Sequence, residues 1–211
     1  MAPEMYYSFY ERVKHKEKKN EARGEKDMDW YRLQHTIKLC ITRSATGRAR
    51  YIREHNIFHH MGENCMVMFR KIPLYPQLIS IGDNVWIASN VTFATHDVIH
   101  EMLNNCVQGY KFQENIGCIE IDDNVFIGAN TIILPNVHIG SNTIIAAGSC
   151  VNKDIEGDGV WGGVPAKFIC PIEIFIEKRK KAETIPIRKD KETLSAETVR
   201  DCWDRYKRIK D

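Results

Sequence analysis

His96 stands where a strict six-residue period in this chain is interrupted. An imidazole held there can take the proton from a hydroxyl as its oxygen attacks, because this group titrates near neutrality. Asp97 follows it as a candidate orienting or substrate-contacting group, and Tyr110 and Lys111 lie further along the interrupted stretch. Small residues gather at Ala146, Ala147 and Gly148 and again at Gly162, Gly163 and Pro165, so a long thin ligand can lie close to the backbone. Lys153 and Lys167 stand near these positions as cations for phosphates. No nucleophile-elbow pattern occurs, which favours direct transfer over a covalent intermediate. The seven cysteines (40, 65, 106, 118, 150, 170 and 202) are odd in number and form no CxxC pair. A zinc ribbon or disulfide framework is thereby disfavoured, and buried reduced thiols are expected.

The elements that position these residues are announced by the period itself. From Ile121 to Glu156 the chain reads IDDNVF, IGANTI, ILPNVH, IGSNTI, IAAGSC, VNKDIE, with an apolar β-branched residue opening each block. The fourth place is Asn124, Asn130, Asn136, Asn142, Gly148 and Asp154, types that tolerate left-handed backbone. The fifth is Val125, Thr131, Val137, Thr143, Ser149 and Ile155. Six fits neither a helix nor a simple alternating strand, but it suits a short strand plus a bend, stacked three blocks to a triangular coil. Earlier blocks open at Ile81, Ile87 and Phe93, and His96 fills the third one's Asn place. Phe93 to Ile121 spans four blocks with four residues left over, so at least part of Asp97 to Cys118 must bulge outward.

The chain has 211 residues, 43% hydrophobic and 27% charged, as expected of a soluble globular protein. No apolar run is long enough for a membrane span, and the first residues show no secretory pattern, so a cytoplasmic location is expected. The net charge of +2 hides a split: residues 1–58 carry +5, 59–170 carry −6 and 171–211 carry +3. Basic and acidic residues alternate in the flanks, which argues against nucleic acid. Residues 1–58 form an N-terminal helical segment, with a polar stretch from Lys14 to Lys26 and then a stripe of Trp30, Leu33, Ile37, Cys40 and Ile41. A second helix runs from about Ser44 to Glu54, with Arg48, Arg50 and Arg53 on a solvated face. After the body of 59–170, helices are expected from Ile172 and from Ser195, the latter with a stripe of Val199, Trp203, Tyr206 and Ile209.

The segments ISIGDNVWIASNVTFATHD, IGANTIILPNVHIGSNTIIAAGSCVNKDI and GGVPAKFI together resemble the hexapeptide-repeat acyltransferases, nearest the maltose, galactoside, nodulation and capsular polysaccharide O-acetyltransferase group. The resemblance covers about residues 59 to 170. It implies a mainly β protein, a left-handed parallel β-helix with α-helical flanks, assembled as a homotrimer with active sites between subunits. It also implies acetyl-CoA as donor, a sugar or polysaccharide-precursor hydroxyl as acceptor, and His96 as general base. By position, Ala129 and Ala147 line the pantetheine arm, Asn152 and Lys153 lie near the cofactor, and Lys167 sits towards its nucleotide end.

Two departures bear on the acceptor. Galactoside-type relatives carry a Trp in the first block after the loop, where this chain has Phe126; and the segment before Ile81 reads Met66-Val67-Met68-Phe69-Arg70-Lys71 and Tyr75-Pro76, where they place an Asn and an Asp. An amino-sugar N-acetyltransferase would use the same base and groove. His60, His96 and His100, 36 and 4 apart, approach the zinc-ligand spacing of γ-class carbonic anhydrases, but the last step differs by one and the GVPAK ending favours acyl transfer, so no metal is expected. A non-catalytic β-helix scaffold is the remaining alternative, and retention of His96, Lys153 and Lys167 argues against it.

Overall fold

The computed structural model describes residues 30–190 and 193–210, and the chain divides into two compact units, the first ending at Ile169 and the second beginning at Cys170. The polar stretch from Lys14 to Lys26 lies outside the described residues.

In the first unit the inward residues of each block are apolar, and their burial builds a prism of stacked coils. Ile81, Ile87, Ile121, Ile127, Ile133, Ile139, Ile145 and Val151 are essentially inaccessible. Each such side chain contributes about 2 kcal/mol on leaving water. The first face stacks strands His60–Met61, Ile79–Ile81, Ile119–Ile121 and Val137–Ile139. The second stacks Met66–Val67, Trp86–Ile87, Val125–Ile127, Thr143–Ile145, Gly159–Gly162 and Lys167–Pro171, and the third Thr92–Phe93, Ile132–Ile133 and Cys150–Val151. The pairings between successive coils are parallel.

The register records where the chain leaves the coil. Val125 pairs with Thr143 and Val137 with Ile119, a step of 18 that equals three blocks. Ile79 pairs with Ile119 and Phe93 with Ile133, a step of 40. The excess of 22 equals the length of 97–118, so an excursion of that size departs from the coil, and the chain is back in the ladder at Cys118, whose carbonyl accepts from Asn136 N at 2.8 Å. At the far end Ile144 pairs with Val160 and Ile139 bridges Ile155, a step of only 16, so the last coil is tightened.

The bends explain the Asn period. Asn84, Asn90, Asn124, Asn130, Asn136 and Asn142 all have φ between 54 and 60°, the left-handed region that Asn tolerates best among side-chain-bearing residues. Their amides stack as ladders: Asn84 Nδ2 donates to Asn124 Oδ1 (2.9 Å), Asn124 to Asn142 (3.2 Å) and Asn142 to Asp158 (2.8 Å). Asp154 holds the same place in its block without positive φ; its carboxylate accepts from His138 N at 2.8 Å, where the coil is tightening. The buried hydroxyls of Thr131, Thr143 and Ser149 each donate to the carbonyl three residues back, so the fifth place carries polar groups without leaving them unpaired. Gly128 is needed for close stacking: a Cβ there would run into the backbone of Ala147 in the next coil.

Two helices belong to the same unit. The first, α1 (Trp30–Ile41), buries His35 and Leu39; the second, α2 (Ala45–Glu54), is capped by Ser44, whose hydroxyl accepts from Gly47 N. Arg48 corrects the expectation of a solvated face, since it is 1% exposed. Its Nε donates to Val67 O at 3.0 Å and its Nη1 to Thr42 O and Arg43 O at 2.8 and 3.1 Å. Burial, and then the neighbouring Arg70, lower its pKa. The cysteines also depart from expectation: all seven are free, but only Cys65 is buried, and Cys40, Cys106, Cys118 and Cys202 are exposed.

The second unit, taken by itself, holds α4 (Ile172–Lys181), a two-stranded hairpin of Lys189–Asp190 with Thr193–Leu194, and α5 (Ala196–Lys210), numbered after the loop helix described below. Ser195 accepts from Thr198 N at 3.2 Å, the cap expected for α5.

Candidate functional site

His96 follows the strand Thr92–Phe93 at the corner between the third and first faces, where the excursion begins. The base of the excursion is a short antiparallel clasp. His96 bridges Ile116, Asp97 N donates to Asn115 O (3.0 Å) and Gly117 N to Thr95 O (2.9 Å). A helix, α3 (Ile99–Cys106), rises from the clasp, and Asn104 pins the returning chain through both its amide groups to Phe112. The imidazole thus sits on a rigid strand end beside a loop, as a positioned reactive group requires.

The surroundings of the ring come from three segments. Tyr75, itself left-handed at φ 50°, sets its ring edge-on to His96 with centroids 5.4 Å apart. The Tyr75 hydroxyl donates to Glu114 Oε2 at 2.9 Å; that bond first, then burial and the Glu114 charge, raise the phenol pKa. Thr95 Oγ1 donates to Leu74 O at 2.6 Å and ties the Tyr75 segment to the strand that carries His96. The His96 Nδ1 is buried with no hydrogen-bond partner among the described residues.

Asp97 does not orient His96. Its carboxylate accepts from Asn115 Nδ2 (2.9 Å) and from Ile99 N (3.0 Å), so it ties the start of α3 to the clasp. Those two bonds, Asn115's the larger, keep its pKa below the ordinary carboxylate value. Tyr110 is exposed at the loop tip and packs against Phe112, with centroids 4.8 Å apart.

The remaining expected site residues fall on two corners. Asn152 and Lys153, both exposed, follow the strand Cys150–Val151 on the His96 corner, two coils above the strand that leads to His96. Ala129 and Ala147 lie at the corner between the second and third faces, one coil apart, where Gly148 N donates to Ala129 O at 2.8 Å. The turn after Trp161 closes over that corner: Cys150 N donates to Gly163 O (3.0 Å), Gly163 N to Ser149 Oγ (3.2 Å) and Ala166 N to Cys150 O (2.8 Å). Exposed Lys167 continues from that turn. The structure therefore groups Ala129, Ala147 and Lys167 on one corner and His96, Asn152 and Lys153 on the other. One six-residue block, a short strand and its bend, separates the corners. Around Gly148 a Cβ would meet nothing within 4 Å, so the small-residue corner is open to a ligand.

Tyr75, Glu114 and Asn115 complete the environment of His96 and Asp97 although the six-residue pattern does not reach them. Their only signal in the sequence is position, just before the repeats and just inside the clasp. Among the described residues no group of three His, Cys, Asp or Glu side chains converges as a metal shell, and His100 instead places Nε2 3.4 Å from Glu101 Oε1.

Comparison with known proteins places this coil among its relatives. The family described as Bacterial transferase hexapeptide (six repeats) matches residues 119–153. The chain is 41% identical over 112 residues to galactoside O-acetyltransferase of Escherichia coli, covering 52% of each chain. It is 46% identical over 103 residues to Protein CapG of Staphylococcus aureus, covering 49% of this chain and 58% of the other. The chain thus spans about half the length of the curated relatives it matches. A crystal structure of a hexapeptide-repeat-containing acetyltransferase from Vibrio cholerae superposes with a TM-score of 0.51 and 25% identity, over 66% of this chain and 87% of that one. With its parallel three-faced coil and six-residue period, the repeat body of this chain is a left-handed β-helix similar to those of the hexapeptide-repeat acetyltransferases.

Proposed function

We propose that the protein is an acetyl-CoA-dependent O-acetyltransferase whose acceptor is a hydroxyl of a sugar or polysaccharide precursor, with His96 as general base. The observation that carries this reading is the setting of His96: a strand-end imidazole packed against Tyr75, beside a loop clasp, on a coil whose neighbouring corner is open and lined by small residues. The relatives named O-acetyltransferases support the reaction class.

Acetyl-CoA supplies a thioester whose acyl carbon is attacked and whose sulfur leaves. The acceptor oxygen bonds to that carbon, its proton passes to a ring nitrogen of His96, the C–S bond breaks and the thiolate recovers the proton as free thiol. Ala129 and Ala147 line the pantetheine arm, with Asn152 and Lys153 close by, and Lys167 meets the nucleotide phosphates. Asp97 acts by holding the clasp, and Tyr75 with Glu114 buttresses one side of the imidazole. Tyr110, at the loop tip, contacts the acceptor.

We place the active site between subunits of a homotrimer in the cytoplasm. Division of the site residues between two corners of the coil supports this, because neighbouring prisms can bring unlike corners together. Exposed apolar side chains on the outer faces, among them Trp86, Phe126 and Ile132, supply surface for such packing. No helix among the described residues is long and apolar enough to cross a membrane.

The test is calorimetric titration with acetyl-CoA, followed by turnover on a panel of sugar acceptors by wild type and His96→Ala. Saturable binding with transfer that falls about 10²–10⁴-fold in the variant, at unchanged oligomer mass, is expected. Absence of acetyl-CoA binding, or wild-type turnover by His96→Ala, overturns the assignment.

A further inference from the structure

The apolar stripe of α5 is left uncovered within its own unit, and the charges around it are sorted. Trp203, Tyr206 and Ile209 are 59, 52 and 69% exposed, and Val199 41%. At 3.6 residues per turn, Val199, Cys202, Trp203, Tyr206 and Ile209 cover an arc of about 120°. Arg200 and Lys207 flank that arc on one side; Arg205, on the other, donates to Glu183 O at 2.8 Å, and Glu197, Asp201 and Asp204 gather on the opposite side of the helix with Arg208, which meets Glu183 Oε1 at 3.1 Å.

The acids facing away are largely matched inside the unit. Arg188 Nη1 reaches Glu197 at 2.8 Å and Asp201 at 4.0 Å. Lys210, at the end of the stripe, holds its ammonium 5.9 Å from the centroid of Tyr206. The preceding helix adds four consecutive cations, Lys178, Arg179, Lys180 and Lys181, in its last turn.

We infer that α5 is an interfacial helix that lays its Trp203 stripe into the surface of an anionic lipid bilayer. Its design matches that surface. Apolar and aromatic side chains enter the acyl boundary, long basic side chains at the edge of the stripe reach back to headgroup phosphates, and the acids point to water. The 15 residues of α5 give about 22 Å of helix, enough to lie in the interface and too short and too charged to span it.

Flotation of the intact chain tests this with two vesicle types, phosphatidylcholine alone and phosphatidylcholine carrying about one third phosphatidylglycerol, each at low and high salt. Binding to the anionic vesicles only, weakened by salt, is expected. Arg200→Glu with Lys207→Glu should weaken it by at least about 25-fold, since each cation near such a surface is worth roughly fivefold. Trp203→Glu should abolish it while oligomer mass and acetyl-CoA binding stay as in wild type. Failure of the intact chain to bind anionic vesicles overturns the inference. So does a Trp203→Glu chain that falls apart into smaller oligomers, which would make the stripe a contact between copies. Tight duplex DNA binding that ignores Trp203→Glu, without vesicle binding, overturns it as well.

Discussion

Replacing Arg48 by Met keeps most of the buried stem and removes the guanidinium. Three carbonyls lose a donor: Val67 O, Thr42 O and Arg43 O. Thr42 O retains a contact from Arg70 Nη1 at 3.4 Å and Arg43 lies at the surface, so Val67 O is the one carbonyl stranded in the interior. An unpaired buried carbonyl costs about 1–3 kcal/mol, and relief from burying the cation offsets part of the sum. The net loss expected is about 1–3 kcal/mol, or roughly 2–12 °C in melting temperature for a chain of this size. Arg48→Lys should fall between, because an ammonium lacks the planar fork that serves carbonyls on two elements. Thermal unfolding followed by circular dichroism at fixed protein concentration measures the effect. A Met variant that melts within a degree of wild type would refute the reasoning and show that the helix is held to the coil by its apolar contacts alone.

Lys167→Ala should raise the KM for acetyl-CoA by about tenfold or more while changing kcat little, since the proposed charge-assisted phosphate contact is removed; equal losses in both would take Lys167 away from the donor. Asn124→Ala should cost about 1–2 kcal/mol in urea unfolding, because alanine resists φ near 59° and two ladder bonds are lost, and Asn124→Gly should recover part of it. His35 is buried, bonded through Nδ1 to Tyr51 at 2.7 Å, and its pKa is lowered by burial and then by His55. Its neutral form is therefore the folded form. The stability it contributes is complete above the ordinary value of 6.5 and is lost as pH falls below it. Wild type should lose melting temperature between about pH 7 and 5 more steeply than His35→Phe, and parallel curves would exclude His35 as the cause.

The coil was legible because period, burial and bend all speak at the same six-residue spacing, so Ile127, Asn130 and Thr131 constrain one another. The outward excursion was legible by count alone, and His96 by standing at its edge. What lay beyond reach depends on pairings distant in sequence. Glu114 meets Tyr75 across 39 residues and Arg48 meets Val67 across 19, neither in any repeat. Arg48 read as a solvated charge because carbonyl partners leave no trace in composition. Asp97 read as a partner for His96 because adjacency is visible, while the Asn115 amide and the Ile99 N–H that bind it are conformational facts. Tightening of the last coil at Asp154 escaped notice because a two-residue deletion looks like an ordinary turn.

The helix α2 sits where the stack of parallel strands begins, against His60–Met61 and Met66–Val67. A stack of this kind is periodic along its axis, and nothing in the repeat itself tells it to stop. Its terminal strands present unpaired amides and carbonyls at the spacing another copy would match. Arg48, by donating to Val67 O, occupies one of those sites and acts as a chain terminator for growth along the axis. Chains that lose this cover should pass from unfolding losses to end-to-end fibre formation, which places aggregation control in a side chain remote from the proposed chemistry.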